Sequence, residues 1–212
     1  GIAGVDGNGQ TQLVDSVVGL EEPDEGTVEF DGEDMTTASR RDHIERGMSF
    51  VPEDRQARGL VMDFDLVENA LLGNQYDPGF TSGPRVDWGA TRTHAEDIIE
   101  EYDVRTPNAE TASESLSGGN QQKFIVGREI LRDSDVLVAS HPTRGVDVGS
   151  IEFIHDRLVD LRDEGKAVLL VSSKLDEVQQ LSDRIAVIYE GRIMDIVEPE
   201  AVTDQDLGLL MA

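Results

Sequence analysis

Two short strings in this 212-residue chain carry residue types whose spacing suits the holding of a phosphate group. The first is Leu116-Ser117-Gly118-Gly119-Asn120-Gln121, followed by Gln122-Lys123. A hydroxyl and two side-chain-free amides stand there ahead of a run, 120–132, that reads as helix. Unpaired N–H groups and the positive end of the helix dipole would then face an anion. A plain serine N-cap after a flexible glycine pair is the structural alternative. The second string is Gly4-Val5-Asp6-Gly7-Asn8-Gly9-Gln10-Thr11, between an apolar strand and a helical stretch at 12–18. Its spacing, G-x-x-x-x-G-x-T, is that of a phosphate loop, and Thr11 has the hydroxyl that such a loop offers to Mg²⁺. The lysine expected after the last glycine is Gln10. A neutral amide makes weaker hydrogen bonds than an ammonium, so this loop should hold a triphosphate loosely.

The elements that must position these strings follow from periodicity. Met48 to Pro52, Val136 to Ala139 and Lys166 to Val171 read as short buried strands, and Ile151, Ile154, Leu158 and Leu161 repeat as the core face of a helix. Two hairpins are expected, one turning at Asp31-Gly32 and one at Glu190-Gly191, with a last helix at 204–211. From about residue 65 the pattern becomes helical: Val67, Ala70 and Leu71 share a face, and Ala95, Ile98, Ile99 and Tyr102 recur at i, i+3, i+4, i+7. Between these helices a Gly- and Pro-rich stretch, 76–89, contains the only Trp, Trp88.

The string Leu116 to Lys123 resembles the signature motif of ABC-type ATPases, in the form found in simple-sugar and nucleoside importers. The resemblance extends over the whole chain. Val51-Pro52-Glu53-Asp54-Arg55 is similar to the C-terminal ATPase half of two-domain importer subunits, and the strings 102–108, 151–155 and 207–211 resemble the nucleoside branch. It implies an α/β P-loop NTPase (RecA-like) core with an antiparallel edge hairpin and an inserted α-helical subdomain. The core would occupy about 1–64 and 124–212, and the subdomain about 65–123. It implies ATP and Mg²⁺ as cofactors, with Gly4, Asp6, Gly7, Asn8, Gly9, Gln10 and Thr11 forming the chain's own loop and Thr11 the metal ligand. In that family two such domains pack head to tail, and each signature, here Leu116 to Gln121, reaches the γ-phosphate on the other domain's loop.

Against the family pattern, four groups of positions depart. Gln10 replaces the loop lysine, and Glu53 replaces the glutamine of the loop that signals to the membrane subunit. Ser140 and His141 stand where an Asp-Glu pair orients Mg²⁺ and polarises water, and Ser173 replaces the switch histidine. A neutral-pKa His141 could serve as a substitute base, but the metal carboxylate beside it is also missing. Losing a general base alone costs about 10²- to 10⁴-fold, so hydrolysis on this loop should be negligible. The resemblance therefore implies a degenerate half that completes a partner's site. Its partners would be a second ATPase domain, in the N-terminal half of the same polypeptide, then permease subunits and, indirectly, a substrate-binding lipoprotein. The place of action would be the cytoplasmic face of the membrane. A non-transport ABC-type ATPase and a nucleotide-independent scaffold are the rival readings; the former predicts basic surface or long coiled-coil insertions, and the sequence has neither. Because Gly1-Ile2-Ala3-Gly4 opens inside a strand pattern, the expectation is a domain truncated at its N-terminal side.

Composition limits the field further. The net charge is −26, from 44 acidic against 18 basic residues, which is the wrong sign for a nucleic-acid footprint. The absence of Cys excludes disulfides and thiolate metal sites, and His43, His94, His141 and His155 lack ligand spacing. The longest aliphatic run, Ala167 to Val171, falls far short of the roughly 20 residues of a membrane span. Acid spread this evenly suits a high-salt medium, where a screening length of about 3 Å at 1 M removes self-repulsion. Circular dichroism should then show better-formed structure in multimolar salt than in dilute buffer. Equal signals in both would remove that reading.

Overall fold

A computed structural model describes residues 1–211. The chain divides into two compact units, residues 1–50, 135–141 and 158 onward in the first, and 51–134 with 142–157 in the second.

The first unit is built on a six-stranded sheet. Its strands are β1 (Ile2–Ala3), β4 (Met48–Val51), β7 (Val136–Ser140), β8 (Ala167–Ser172), β9 (Ile185–Tyr189) and β10 (Arg192–Val197), in the order β10-β9-β1-β8-β7-β4. β1 runs parallel to β8 and β9, β7 runs parallel to β8, and β10 joins its neighbour β9 antiparallel. Consecutive residues of β1 serve opposite faces, as the pleat requires. Ile2 packs with Val14 and Val18 of the first helix region, α1 being Gln10–Val17. Ala3 packs with Val178 of α7 (Leu175–Leu181) and Leu207 of α8 (Asp204–Leu210). Strands covered on both sides have no polar alternation, which is why they read as continuous apolar runs.

Both expected hairpins form. Asp31 and Gly32 have φ of 50° and 77°, and Glu190 and Gly191 have 47° and 74°, the paired left-handed values of a turn whose twist matches its strands. The Glu190-Gly191 hairpin (β9 to β10) forms an edge of the main sheet. The other, β2 (Glu29–Phe30) with β3 (Glu33–Asp34), is a separate two-stranded sheet. The short helix after it, α2 (Arg40–Glu45), starts at Ser39 with a reciprocal capping box to Asp42.

The second unit is mainly helical: α3 (Leu66–Ala70), α4 (Trp88–Glu101), α5 (Gly118–Ile130) and the first turns of α6 (Val148–Asp163). Ala95, Ile98 and Tyr102 are buried, while Ile99 on the margin of the same stripe is only partly so. α4 and α5 approach closely because Gly127 has no side chain; a Cβ there would lie 2.8 Å from the Tyr102 ring. The stretch 76–89 holds a small hairpin, β5 (Thr81–Ser82) with β6 (Arg85–Val86), that the Gly and Pro content concealed. Trp88, at the start of α4, is exposed.

Asn69 ties this unit's entry together. Fully buried, it donates to the carbonyls of Val61 and Asp65 at 3.0 Å and to the Ser113 hydroxyl at 2.7 Å, and accepts from the Val61 N–H at 2.9 Å. Replacing it with Ala removes the partner of the Val61 N–H and the side-chain bonds to Ser113 and to the Val61 and Asp65 carbonyls, which keep the bonds they accept from the Phe64 and residue-69 N–H groups. Asn69→Ala should cost about 2–4 kcal/mol in urea unfolding. A loss below roughly 1 kcal/mol would show that the backbone re-pairs without it.

Candidate functional site

The phosphate-loop string leaves β1 at the C-terminal end of the parallel strands. Register places Ala3 opposite Ser172 and Ser140 opposite Val171, so Gly4, His141 and Ser173 all emerge from the same sheet edge. Ligands of open α/β sheets bind at such carboxyl ends. The loop turns through Gly7 at φ 91° and Gly9 at φ 100°, a conformation that side chains resist, and α1 starts directly at Gln10, two residues earlier than the sequence pattern suggested. The Asn8 carbonyl and side-chain oxygen accept from the N–H groups of Gly191 and Glu190, at 2.9 and 3.0 Å, which fastens the loop to the β9–β10 turn.

Gln10 is buried and its amide is turned inward. Its Nε2 donates to the Val5 carbonyl at 2.9 Å and its Oε1 accepts from the Asn8 N–H at 3.0 Å. One of the amides that a phosphate would engage is therefore already engaged by the side chain standing in the lysine's place. Thr11 is exposed on the first turn of α1.

Ser140 ends β7 and is buried. His141 follows at φ 47°, a left-handed value uncommon outside glycine, held by its N–H donating to Val171 O at 2.7 Å. Burial lowers the His141 pKa, opposed by the carboxylates of Asp6 and Glu177, so the neutral ring is favoured at pH 7. Beyond β8, Ser172 bonds the buried Glu177 and accepts from the Lys174 N–H at 3.1 Å, whereas Ser173 is exposed. Among the described residues no group of three or more His, Asp or Glu side chains could hold a metal ion. At the loop, the side chain whose chemistry would suit Mg²⁺ is the exposed Thr11 hydroxyl.

The second string lies in the helical unit. Ser117, exposed and extended, is the N-cap of α5, so the helix begins at Gly118 rather than at Asn120. Its hydroxyl accepts from the Asn120 side-chain amide at 2.9 Å and, at 3.4 Å, from the Asn120 N–H. Asn120 Oδ1 accepts from the Arg105 N–H at 2.9 Å, and Gln121 Nε2 donates to Ser113 O at 3.0 Å. Leu116 anchors the turn in the core. By helix geometry the amides of Gly118 and Gly119 have no partner inside the helix.

Each glycine is also set close against neighbouring side chains. A Cβ on Gly118 would lie 2.7 Å from Arg55 Nη2, and one on Gly119 would lie 2.6 Å from Asp147 Oδ2 and 2.8 Å from the Ser150 hydroxyl. Asp147 caps α6, accepting from the N–H and hydroxyl of Ser150 at 3.0 Å each, and these bonds hold its carboxyl below the usual range. Glu53 forms an ion pair with Arg144. The roles of Arg55 and Asp147 against the glycine pair were not legible in the string Glu53-Asp54-Arg55 or in the segment 143–147.

Comparison with known proteins settles the family. The profile described as "ABC transporter" matches residues 1–144. The chain belongs to the ABC transporter family. It is 50% identical over 212 residues to the guanosine import ATP-binding protein NupO of Bacillus subtilis (strain 168), across 100% of this chain and 42% of that protein. It is 48% identical over 211 residues to the nucleoside import ATP-binding protein NupA of Lactococcus lactis subsp. cremoris (strain MG1363), across 100% and 42%. The chain thus spans less than half the length of these relatives. A solved dimer of an ATP-binding cassette in a post-hydrolysis state, bound to ADP and Pi, superposes with a TM-score of 0.78 at 22% identity, over 93% of this chain and 84% of that one. The fold of this ABC transporter chain is accordingly the α/β P-loop cassette. No helix among the described residues is long and apolar enough to cross a membrane.

If the loop meets a phosphate, Gln10→Lys should tighten Mg-ATP binding to the chain, because a charge-assisted bond replaces a neutral one. Calorimetry is expected to give a roughly five- to tenfold lower Kd. An unchanged Kd would mean that position 10 faces no phosphate.

Proposed function

We propose that this chain is one nucleotide-binding half of an ABC importer ATPase, supplying its signature in trans to ATP held by a second ATPase domain. The observation that carries the reading is the contrast between the two strings. At Ser117 the cap, the paired glycines and the helix start are all in place. At the loop the lysine position holds an inward-turned Gln10, and the strand ends that follow carry Ser140, His141 and Ser173 instead of carboxylates and a histidine.

In this reading the backbone amides of Gly118 and Gly119 and the Ser117 hydroxyl stabilise the charge of the partner's γ-phosphate. ATP and Mg²⁺ supply the chemistry at the composite site; Gly4 to Thr11 binds nucleotide weakly, with Thr11 the metal ligand, and turns over little or none. The single cassette is organised as a core at about 1–64 and 124–212 with a helical subdomain at about 65–123. The second cassette is the N-terminal half of the same polypeptide, consistent with relatives more than twice this length. Permease subunits at the cytoplasmic face of the membrane receive the motion, and a binding lipoprotein delivers solute to them. The solute is a nucleoside or simple sugar, the nucleoside being favoured by the names of the two relatives at 50% and 48% identity. The acidic surface belongs to the same proposal as an adaptation to salt.

The test is steady-state ATPase of the complete two-domain subunit carrying Ser117→Arg. A bulky cation in place of the cap should lower turnover about 10²- to 10³-fold, the scale of losing a preorganised oxyanion donor. Unchanged turnover would overturn the trans role.

A further inference from the structure

We propose that Arg55 is a positioning residue for the signature turn, fixing the direction in which Ser117 and the first amides of α5 are presented. The inference rests on the trans reading above and adds to it a side chain outside the signature.

Arg55 starts a wide turn, Arg55–Gly59, that Asp54 caps by accepting from the N–H groups of Gln56 and Ala57 at 3.0 Å each. The turn lies along one face of α5 and meets it at two points one helical turn apart. At the near point Arg55 Nε donates to Gln121 Oε1 at 3.3 Å. At the far point Gly59 packs on Ile125, where an added Cβ would come within 2.6 Å of Ile125 Cδ1. Residues i and i+4 of a helix share a face, so these two contacts fix both the height and the rotation of α5 against the turn.

The guanidinium then spans to a third segment. Nη1 donates to the Arg144 carbonyl at 2.9 Å, and Nη2 lies over Gly118, 2.7 Å from where its Cβ would be. Gly145 lies in ordinary contact with the same group, since a Cβ there would be 3.4 Å from Nη1. Arg144 returns the connection through its ion pair with Glu53, two residues before Arg55. Loop 53–55, the first turn of α5 and the turn 144–145 are thereby triangulated through one rigid, planar group. A lysine has the charge but not the fixed fork, so it cannot bond two segments while stacking on a third. Gly118 thus gives room for the guanidinium.

Catalytic stabilisation by fixed donors is sensitive to misplacement of an ångström or less. In the complete two-domain subunit, Arg55→Lys and Arg55→Ala should each lower ATPase kcat roughly tenfold or more while leaving KM for ATP unchanged, because the signature acts in the transition state. Gly118→Ala, which pushes the guanidinium away, should behave likewise, and Arg55→Ala with Gly118→Ala should be no slower than the worse single variant. Independently of activity, hydrogen exchange in the 212-residue chain should show the Asn120 and Gln121 amides of Arg55→Lys exchanging faster at an unchanged melting temperature.

Wild-type kcat and exchange in Arg55→Lys would overturn the inference. So would a multiplicative double variant, or a fall in melting temperature with kcat and KM moving together, which would mark a merely structural residue. Ser117→Arg run in parallel separates the two claims. If it abolishes turnover and Arg55→Lys does not, only the positioning role fails; if it has no effect, the trans reading fails and the positioning role with it.

Discussion

Two successive residues of one helical turn, Gly118 and Gly119, meet packed groups on different sides, Arg55 on one and Asp147 with Ser150 on the other. Neither glycine could gain even a methyl group without displacing a neighbour, since contacts below 3.0 Å are far inside van der Waals separation. That constraint brings two chain segments, distant in sequence, onto the first turn of α5.

The helical unit is held by a small number of polar groups with their partners satisfied at close quarters. Asn69 gathers the backbone around 61–65 and Ser113, and Gln121 reaches the Ser113 carbonyl from α5. Lys123 is mostly buried, pairs with Asp103 at 3.0 Å and lies 4.7 Å from the centre of the Phe153 ring. Arg128, Glu129 and Arg132 form a second buried set of ion pairs. Buried charges arranged this way tolerate loss of a partner poorly, because the remaining charge is left without solvent. Lys123, through Asp103, and Arg128, whose Nη1 donates to the Asn69 carbonyl at 3.2 Å, tie α5 to neighbouring segments of the unit.

The phosphate loop in the other unit has a different character. Its backbone has the left-handed glycines and the strand-to-helix setting of an anion cradle, yet its glutamine side chain satisfies a loop amide and a loop carbonyl from within. A lysine could bond the carbonyl but has no acceptor for the Asn8 N–H. The substitution therefore changes the loop's internal bonding as well as its charge.

Periodicity and turn chemistry determined much from sequence alone: the short buried strands, the Asp31-Gly32 and Glu190-Gly191 hairpins, and the buried stripe Ala95, Ile98 and Tyr102. These depend on local residue types and spacing, which a linear reading can count. Tertiary structure alone decided where α5 begins, since Ser117 rather than Asn120 caps it, and revealed the hairpin within 76–89. It alone decided the inward turn of Gln10 and the convergence of Arg55, Arg144 and Asp147 around the glycine pair. Arg55 and Gln121 are 66 residues apart, and no local propensity encodes which distant backbone will fill the space a missing Cβ leaves.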